Sequence, residues 1–433
     1  GLVWRQEQAA RGMKQKDLSL EGLRGLASLS VVFAHFLFAF VPHLGTYMRP
    51  NVNIPVRYPI EAVFAQPCFT VFFNGNFAVS IFFVMSGYVL TKQYYDSGDK
   101  AALRAGAVKR YPRLVIPVFA ATMFAYVLYA HGAMHNRMAA VIGAAGWPID
   151  YYPDHISLGS AVFDGVYGTA FLGNLQLDGP LWTIRIEVLG SLILFAAYGV
   201  FGRRNLAATA IVFLALAVAV SAGSEYIIHY ETIFAGSLLH LAARRLRAAP
   251  RASMGLMGLG LVCGAFDYSG VFAIVHHHLV LPNLPYPLFN VQAAERTLFH
   301  SLGGILLVSG LLGAGGVRKA LSSRVPAFLG RISFSVYLLH WPILMSLSYW
   351  LMAVLRLGHG WSYAAALAVT AIVTFPTVIA VSTLFEWIVD RPAIKLSSRI
   401  ARAVLSRETP NTHAQKPALG IRGAVGALEP SET

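Results

Sequence analysis

Two groups that disfavour hydrocarbon stand in one long apolar run: Arg24 and His35 in LSLEGLRGLASLSVVFAHFLFAF, residues 18–40. At 3.6 residues per turn, eleven residues bring them onto one helix face, about 16 Å apart along the axis, with Ser28 near the same stripe. Glu187 lies inside the apolar run opened by GPLWTIRIEVLGS, and Glu231 stands in YIIHYETIF. An imidazole beside a carboxylate is the minimal kit for general acid–base chemistry, the carboxylate orienting the ring and stabilising its charged form. Arg110 and Arg113 in KRYPRLVIP are three apart, so on a helix their guanidinium groups face one another. Such a pair at a helix start suits a phosphate clamp and equally suits plain anchoring of the helix at a membrane surface.

The elements that must position these groups are transmembrane helices. Of the 433 residues, 56% are hydrophobic and 12% charged, against about a quarter charged in soluble domains. Apolar runs near 20 residues cross roughly 30 Å of hydrocarbon. Ten are expected, near 18–40, 77–91, 113–131, 181–202, 205–222, 226–243, 253–268, 296–313, 332–355 and 362–389. The fold class is therefore all-α, a polytopic transmembrane bundle of about ten spans. The Gly-rich segment 157–174, which holds Asp164, reads as an interfacial or re-entrant piece, with an eleventh span as the competing reading. Three regions follow: a basic segment 1–17, a membrane domain 18–396, and a polar tail 397–433 expected to be disordered. The first run lacks a small-residue cleavage site after it and reads as a retained span rather than a signal peptide.

Orientation follows from the loop cations. Placing both termini in the cytoplasm puts 27 Lys and Arg residues on that side and 5 on the other, with Arg24 and Arg185 inside spans. This predicts a multi-pass protein of the cytoplasmic (inner) membrane. The net charge of +14 sits in short loops between apolar runs, which excludes a nucleic-acid-binding domain. Cys68 and Cys263 match no metal-ligand spacing. The three histidines at 276–278 would point in different directions on a helix or strand, so no metal site is expected. Counting from the exterior ends places His35 about 8 Å and Glu187 about 9 Å deep, with Glu231 near the same level. Ionisable residues within spans mark function or buried pairing, and His35 with Glu187 is the expected acid–base pair.

Several stretches together resemble acyltransferase family three, integral membrane proteins that O-acylate sugars and other hydroxyl-bearing molecules. LEGLRGLASLSVVFAHF is similar to its signature of Arg, ten residues, then His. FFVMSGYVL at 82–90 is similar to its Phe-Phe-x-x-Ser-Gly-aromatic element, KRYPRLVIP to Arg-x-x-Arg, and PLWTIRIEV to Leu-Trp…Glu. LGRISFSVYLLHWPI at 329–343 resembles Gly-Arg-x-Ser…Leu-His-x-Pro, and FEWIVDRPAIKL the closing Glu…Pro segment. The six elements occur in family order over residues 18 to 396. The resemblance implies acetyl-CoA or another acyl-CoA as donor substrate, bound from the cytoplasm, and a carbohydrate acceptor on the exterior or on a lipid carrier. It makes His35 the principal catalytic group, Arg24 its partner element and Glu187 a second acidic group. Arg110 and Arg113 become candidates for the CoA phosphates, with Ser86, Gly87 and Tyr88 packing or lining the donor path. Trp182, Arg185, Glu231 and His340 are expected on the substrate side. Two positions depart from the pattern. Ser80 and Ile81 stand where the family often has Asp before its Phe-Phe, and Arg185 replaces a serine two positions before the glutamate. Arg185 is expected to pair with Glu231 or Asp178.

Two chemistries fit these residues: direct transfer with His35 as base, or a covalent acyl-histidine. A proton-coupled transporter would also place His, Glu and Arg at depth, and is the rival expectation. The loops 41–76, 132–180 and 269–295 are expected to select the acceptor, with Tyr47, Trp147, Tyr151 and Tyr152 placed either to stack on sugar faces or to form an interfacial belt.

Overall fold

Asp17 opens the first helix. Its carboxylate accepts from the backbone N–H groups of Ser19 and Leu20, satisfying two of the donors that a helix start leaves unpaired. From there α1 runs Leu18–Phe40. The computed structural model describes residues 17–48, 54–144, 148–221, 224, 226–268, 272–274 and 291–406. The three histidines at 276–278, Trp147 and the Tyr47 side chain lie outside the described residues. Helices dominate and no strand occurs among the described residues.

Nine further helices fall on the remaining apolar runs. They are α2 (Gly75–Ser97), α3 (Ala101–Ala130), α4 (Trp182–Phe201), α5 (Leu206–Ser221) and α6 (Ile227–Ala248). Then come α7 (Pro250–Gly264), α8 (Val291–Gly313), α9 (Arg324–Ile343) and α10 (Tyr363–Phe385). Helix α9 continues through alternating π and α turns to Gly358, and α10 continues through a π turn, Glu386–Asp390, into α11 (Arg391–Ser406). Among the described residues, six stretches are long and apolar enough to cross a membrane, namely Leu18–Phe40, Ala101–Ala130, Gly179–Phe201, Ala293–Gly313, Arg324–Gly358 and Tyr363–Ser406; Leu206–Ser221 is a shorter apolar helix. The chain is a multi-pass helical membrane bundle.

Segment 157–174 forms a short helix, Leu158–Phe163, prolonged by a nine-residue π segment that Gly173 ends in the left-handed conformation. It packs on α3 and α4. Fifteen helical residues span about 22 Å, less than the hydrocarbon core. The C-terminal helix reaches Ser406, beyond the boundary expected at residue 396. Its sequence reads as polar because it is amphipathic. Ala393, Ser397 and Ala401 are buried, Leu396, Ile400 and Val404 are exposed on a second face, and Lys395, Arg399 and Arg402 lie beside them.

Two close helix contacts set the site. Gly25 on α1 and Gly330 on α9 bring those backbones together, and a Cβ on either would run into the facing main chain. Gly87 on α2 and Gly236 on α6 do the same, against Ile233 O and Val84 O. Small residues at such crossings give the packing contacts that lipid cannot supply.

Candidate active site

The α1–α9 contact carries His35 to His340, 305 positions away in sequence. His35 Nδ1 lies 3.0 Å from Val31 O and 3.1 Å from His340 Nε2. His340 is fully buried, and its Nδ1 lies 2.7 Å from Tyr337 O and 3.1 Å from Val336 O. A carbonyl oxygen only accepts, so each Nδ1 facing one carries the hydrogen. His340 Nε2 is then a lone pair accepting from His35 Nδ1–H, and His35 Nε2 is left as the basic nitrogen. The two rings lie 5.1 Å apart at 33°, and Trp341 meets His35 edge-on at 5.5 Å.

His35 borders a cavity of about 50 Å³ whose wall includes Ala34, Phe38, Asn76, Pro180, Trp182 and Tyr337. These residues come from the last turns of α1, the first turn of α2, the turn leading into α4 and its first residue, and the middle of α9, so the cavity lies toward one end of the bundle. Tyr337 is fixed there: its hydroxyl donates to Pro180 O and lies 2.7 Å from Thr183 Oγ1. Trp182 packs on His229 and Tyr226. At the same end a larger cavity of about 500 Å³ is lined by Tyr126, Tyr129, Tyr152, Arg137, Asp154 and His155, among others. Ring contacts join the two regions, from Tyr129 to Tyr152, Tyr152 to Tyr151, Tyr151 to Trp341, and Trp341 to His35. Tyr151 and Tyr152 are held by Leu175 O and Leu177 O, and Tyr152 reaches the larger cavity while Tyr151 stays behind it.

Glu187 is not with His35. Its carboxylate pairs with Arg110 and accepts from Ser86 Oγ at 3.0 Å. Arg110 is buried; its Nε donates to Ser191 Oγ at 2.8 Å, and its Nη2, besides pairing with Glu187, lies 3.3 Å from Ser86 Oγ and from Glu187 O. Depth along a helix does not set azimuth: five residues turn it by about 140°. With Trp182 on the His35 cavity, Glu187 faces α2 and α3 instead.

The other expected residues divide. Arg24 forms an ion pair with Glu21 at 3.3 Å, three turns from His35. Arg113 lies in electrostatic reach of Asp390, Arg24 and Glu21, yet makes no hydrogen bond or ion pair among the described residues. Tyr88 stacks on His240 at 4.2 Å. Arg185 donates to Phe171 O and Val220 O at 3.1 and 3.0 Å, not to Glu231 or Asp178. Glu231 is exposed on α6. Asp178 is buried with neither carboxylate oxygen hydrogen-bonded among the described residues. Three residues of the site were not anticipated: Tyr337, Trp341 and Asn76. Tyr337 stands three before His340 and Trp341 directly after it, a spacing visible once His340 is given weight.

Comparison with known proteins follows this geometry. A family model described as "Acyltransferase domain" matches residues 17–390. The chain is 21% identical to "Acyltransferase clz18" of Cochliobolus lunatus over 90% of its own length and 96% of that protein's. It is 23% identical to "Acyltransferase R4" of Phoma sp. (strain ATCC 20986 / MF5453), over 88% of this chain and 95% of the relative. A shorter match, 33% over 88 residues, is to "Inner membrane protein YcfT" of Escherichia coli (strain K12), and covers 21% of that protein. No solved structure matches.

Proposed function

The chain belongs to this acyltransferase family, and from that premise we propose that it moves a short acyl group from cytoplasmic acyl-CoA, acetyl-CoA being the expected donor, to a hydroxyl of an extracytoplasmic or lipid-linked carbohydrate. The observation that carries this reading is His35. Its Nδ1–H is held by Val31 O and His340, and its Nε2 is the ring nitrogen left for a substrate beside a cavity. In the reaction the acceptor hydroxyl oxygen attacks the thioester carbonyl carbon while His35 Nε2 takes the hydroxyl proton. The C–S bond then breaks, and the proton passes from His35 to the departing CoA thiolate. No net proton is consumed.

The loop cations support a cytoplasmic location for the Arg24, Arg110 and Arg113 end, and an exterior location for the two cavities. Arg110 is committed to Glu187, Ser86 and Ser191, so Arg113 is the guanidinium assigned to a donor phosphate. The larger cavity suits an acceptor: its volume lies within the ~300–1,000 Å³ of small-molecule sites, and its tyrosines and charged groups suit sugar faces and hydroxyls. The test is labelled acetyl-CoA incubated with membranes containing the protein. Label is expected in a carbohydrate or glycolipid fraction, falling by roughly 10²–10⁴-fold in His35→Ala. Absence of label transfer, or full transfer by His35→Ala, refutes the reading; solute uptake without acyl transfer favours a proton-coupled transporter instead.

A further inference from the structure

His340 does not border the His35 cavity, so a direct role toward substrate is not what its geometry offers. We propose that His340 is the positioning residue of the reaction, a neutral imidazole doing for His35 what a carboxylate commonly does for a catalytic histidine. The inference rests on the reading of His35 as the base.

Three observations carry it. First, the ring of His340 is locked, since its Nδ1–H meets the carbonyls three and four residues earlier, Tyr337 O and Val336 O, and the side chain is fully buried. Its Nε2 therefore has one role, to accept. Second, that lone pair is aimed at His35 Nδ1 from 3.1 Å, while Trp341 and Phe38 meet the His35 ring edge-on at 5.5 and 6.4 Å. Val31 O, 3.0 Å from the same Nδ1, sets the tautomer, and His340 shares that N–H and holds the plane of the ring. Third, the acidic group the sequence offers for this task, Glu187, is bound to Arg110 and Ser86.

The chemical consequence is specific. A neutral acceptor strengthens its hydrogen bond when His35 becomes imidazolium, but less than a carboxylate would. The proton taken from the hydroxyl is stabilised enough to be accepted and remains free to move on to the thiolate. In a buried site this avoids placing a carboxylate in low dielectric, where desolvation is costly.

The experiment uses the full chain in membrane vesicles that retain the hydroxyl-bearing acceptors, with acetyl-CoA as probe and thiol release as readout. His340→Leu is expected to lower kcat roughly 100-fold while leaving KM for acetyl-CoA within about twofold, as for loss of a partner that orients the base and stabilises its imidazolium. His340→Gln, whose Oε1 can accept near the position of Nε2, is expected to recover about tenfold of that loss. Should His340→Leu fail to fold, His340→Gln against His340→Asn makes the same comparison, because the Asn oxygen lies at the Nδ1 position; Gln is expected to be about tenfold faster. Unchanged kcat in His340→Leu, or Gln no faster than the folded Leu or Asn variant, overturns the proposal. No thiol release by the wild type, or undiminished release by His35→Ala, overturns the reading beneath it and the proposal with it.

Discussion

At the His35 end of the bundle, polar groups are anchored on one side and left available on the other. His340 is saturated at Nδ1 and gives its Nε2 to His35; His35 in turn keeps Nε2 without a hydrogen-bond partner among the described residues, beside a cavity. Around Arg110 the opposite holds. Guanidinium, carboxylate and two serine hydroxyls close on each other between α2, α3 and α4. The difference separates the residues proposed to do chemistry from residues whose polar groups close on one another. A buried group with an unused lone pair is costly unless a substrate uses it, whereas a closed ion pair contributes to structure and is expensive to break.

The sharpest way to break the comparison is at the paired arginines. Arg110→Ala strands the half-buried Glu187 carboxylate and is expected to cost about 3 kcal/mol, with part of it returned by adding Glu187→Gln. Thermal unfolding in detergent measures this. Arg113→Ala removes a cation that makes no ion pair among the described residues, so its melting temperature should stay within about 2 °C of wild type while KM for the acyl-CoA donor rises about tenfold. If Arg110→Ala folds normally and Arg113→Ala leaves donor kinetics unchanged, the two residues have been assigned the wrong way round.

A smaller effect tests whether α2 must sit where it does to offer Ser86 to Glu187. Gly87→Ala directs a methyl into the Ile233 carbonyl, an overpacking expected to cost about 1–3 kcal/mol. Gly199→Ala on α4 meets open space and should be neutral or slightly stabilising, since alanine is the better helix former by about 1 kcal/mol. Equal stability of the two variants would mean that α2 and α6 separate cheaply, and that the Ser86–Glu187 contact does not depend on their close approach.

Much of the architecture was legible because apolar length and helical period are local properties. The ten runs became helices α1 to α10. The Ser86-Gly87-Tyr88 element, expected to pack or to line the donor path, places a hydroxyl on Glu187, a bare backbone against α6 and a ring on His240. Azimuth between distant helices was not legible. Residues 35 and 187 lie at comparable computed depths, yet nothing within either segment says which neighbour each faces. That was settled by Gly25 and Gly330, which draw α1 against α9 and so bring His340 rather than Glu187 to His35. Arg185 shows the same limit. Counting residues offered it two carboxylates, while the fold gives it two carbonyl oxygens at the end of the π segment and the end of α5. Residues 397–406 read as polar tail for a related reason, because a polar composition conceals a helix whose small residues are on the packed face.

The mildest expected effect lies at the foot of α1, where Asp17 caps the helix and pairs with Arg318 at 2.8 Å. Burial alone would raise this carboxyl, but hydrogen bonds from Ser19, Arg318 and the Leu20 N–H, with the charge of Arg318, outweigh it and hold the group below the usual carboxylate range. The sign follows. A carboxyl whose folded value is depressed contributes stability that is fully present above its unfolded value near 3.8 and is lost as pH falls through the folded value. Asp17→Ala should therefore cost about 1 kcal/mol at neutral pH, the usual worth of a helix cap, and the gap from wild type should narrow below about pH 4 as the wild-type carboxyl protonates. Eighteen residues of helix, about 27 Å, separate Asp17 from His35, so kcat should not change. A pH-independent stability gap would remove the ion pair from the account. A fall in kcat at undiminished folding would show that the foot of α1 controls how His35 meets His340, and the separation between the chemical and the structural end of the bundle would no longer hold.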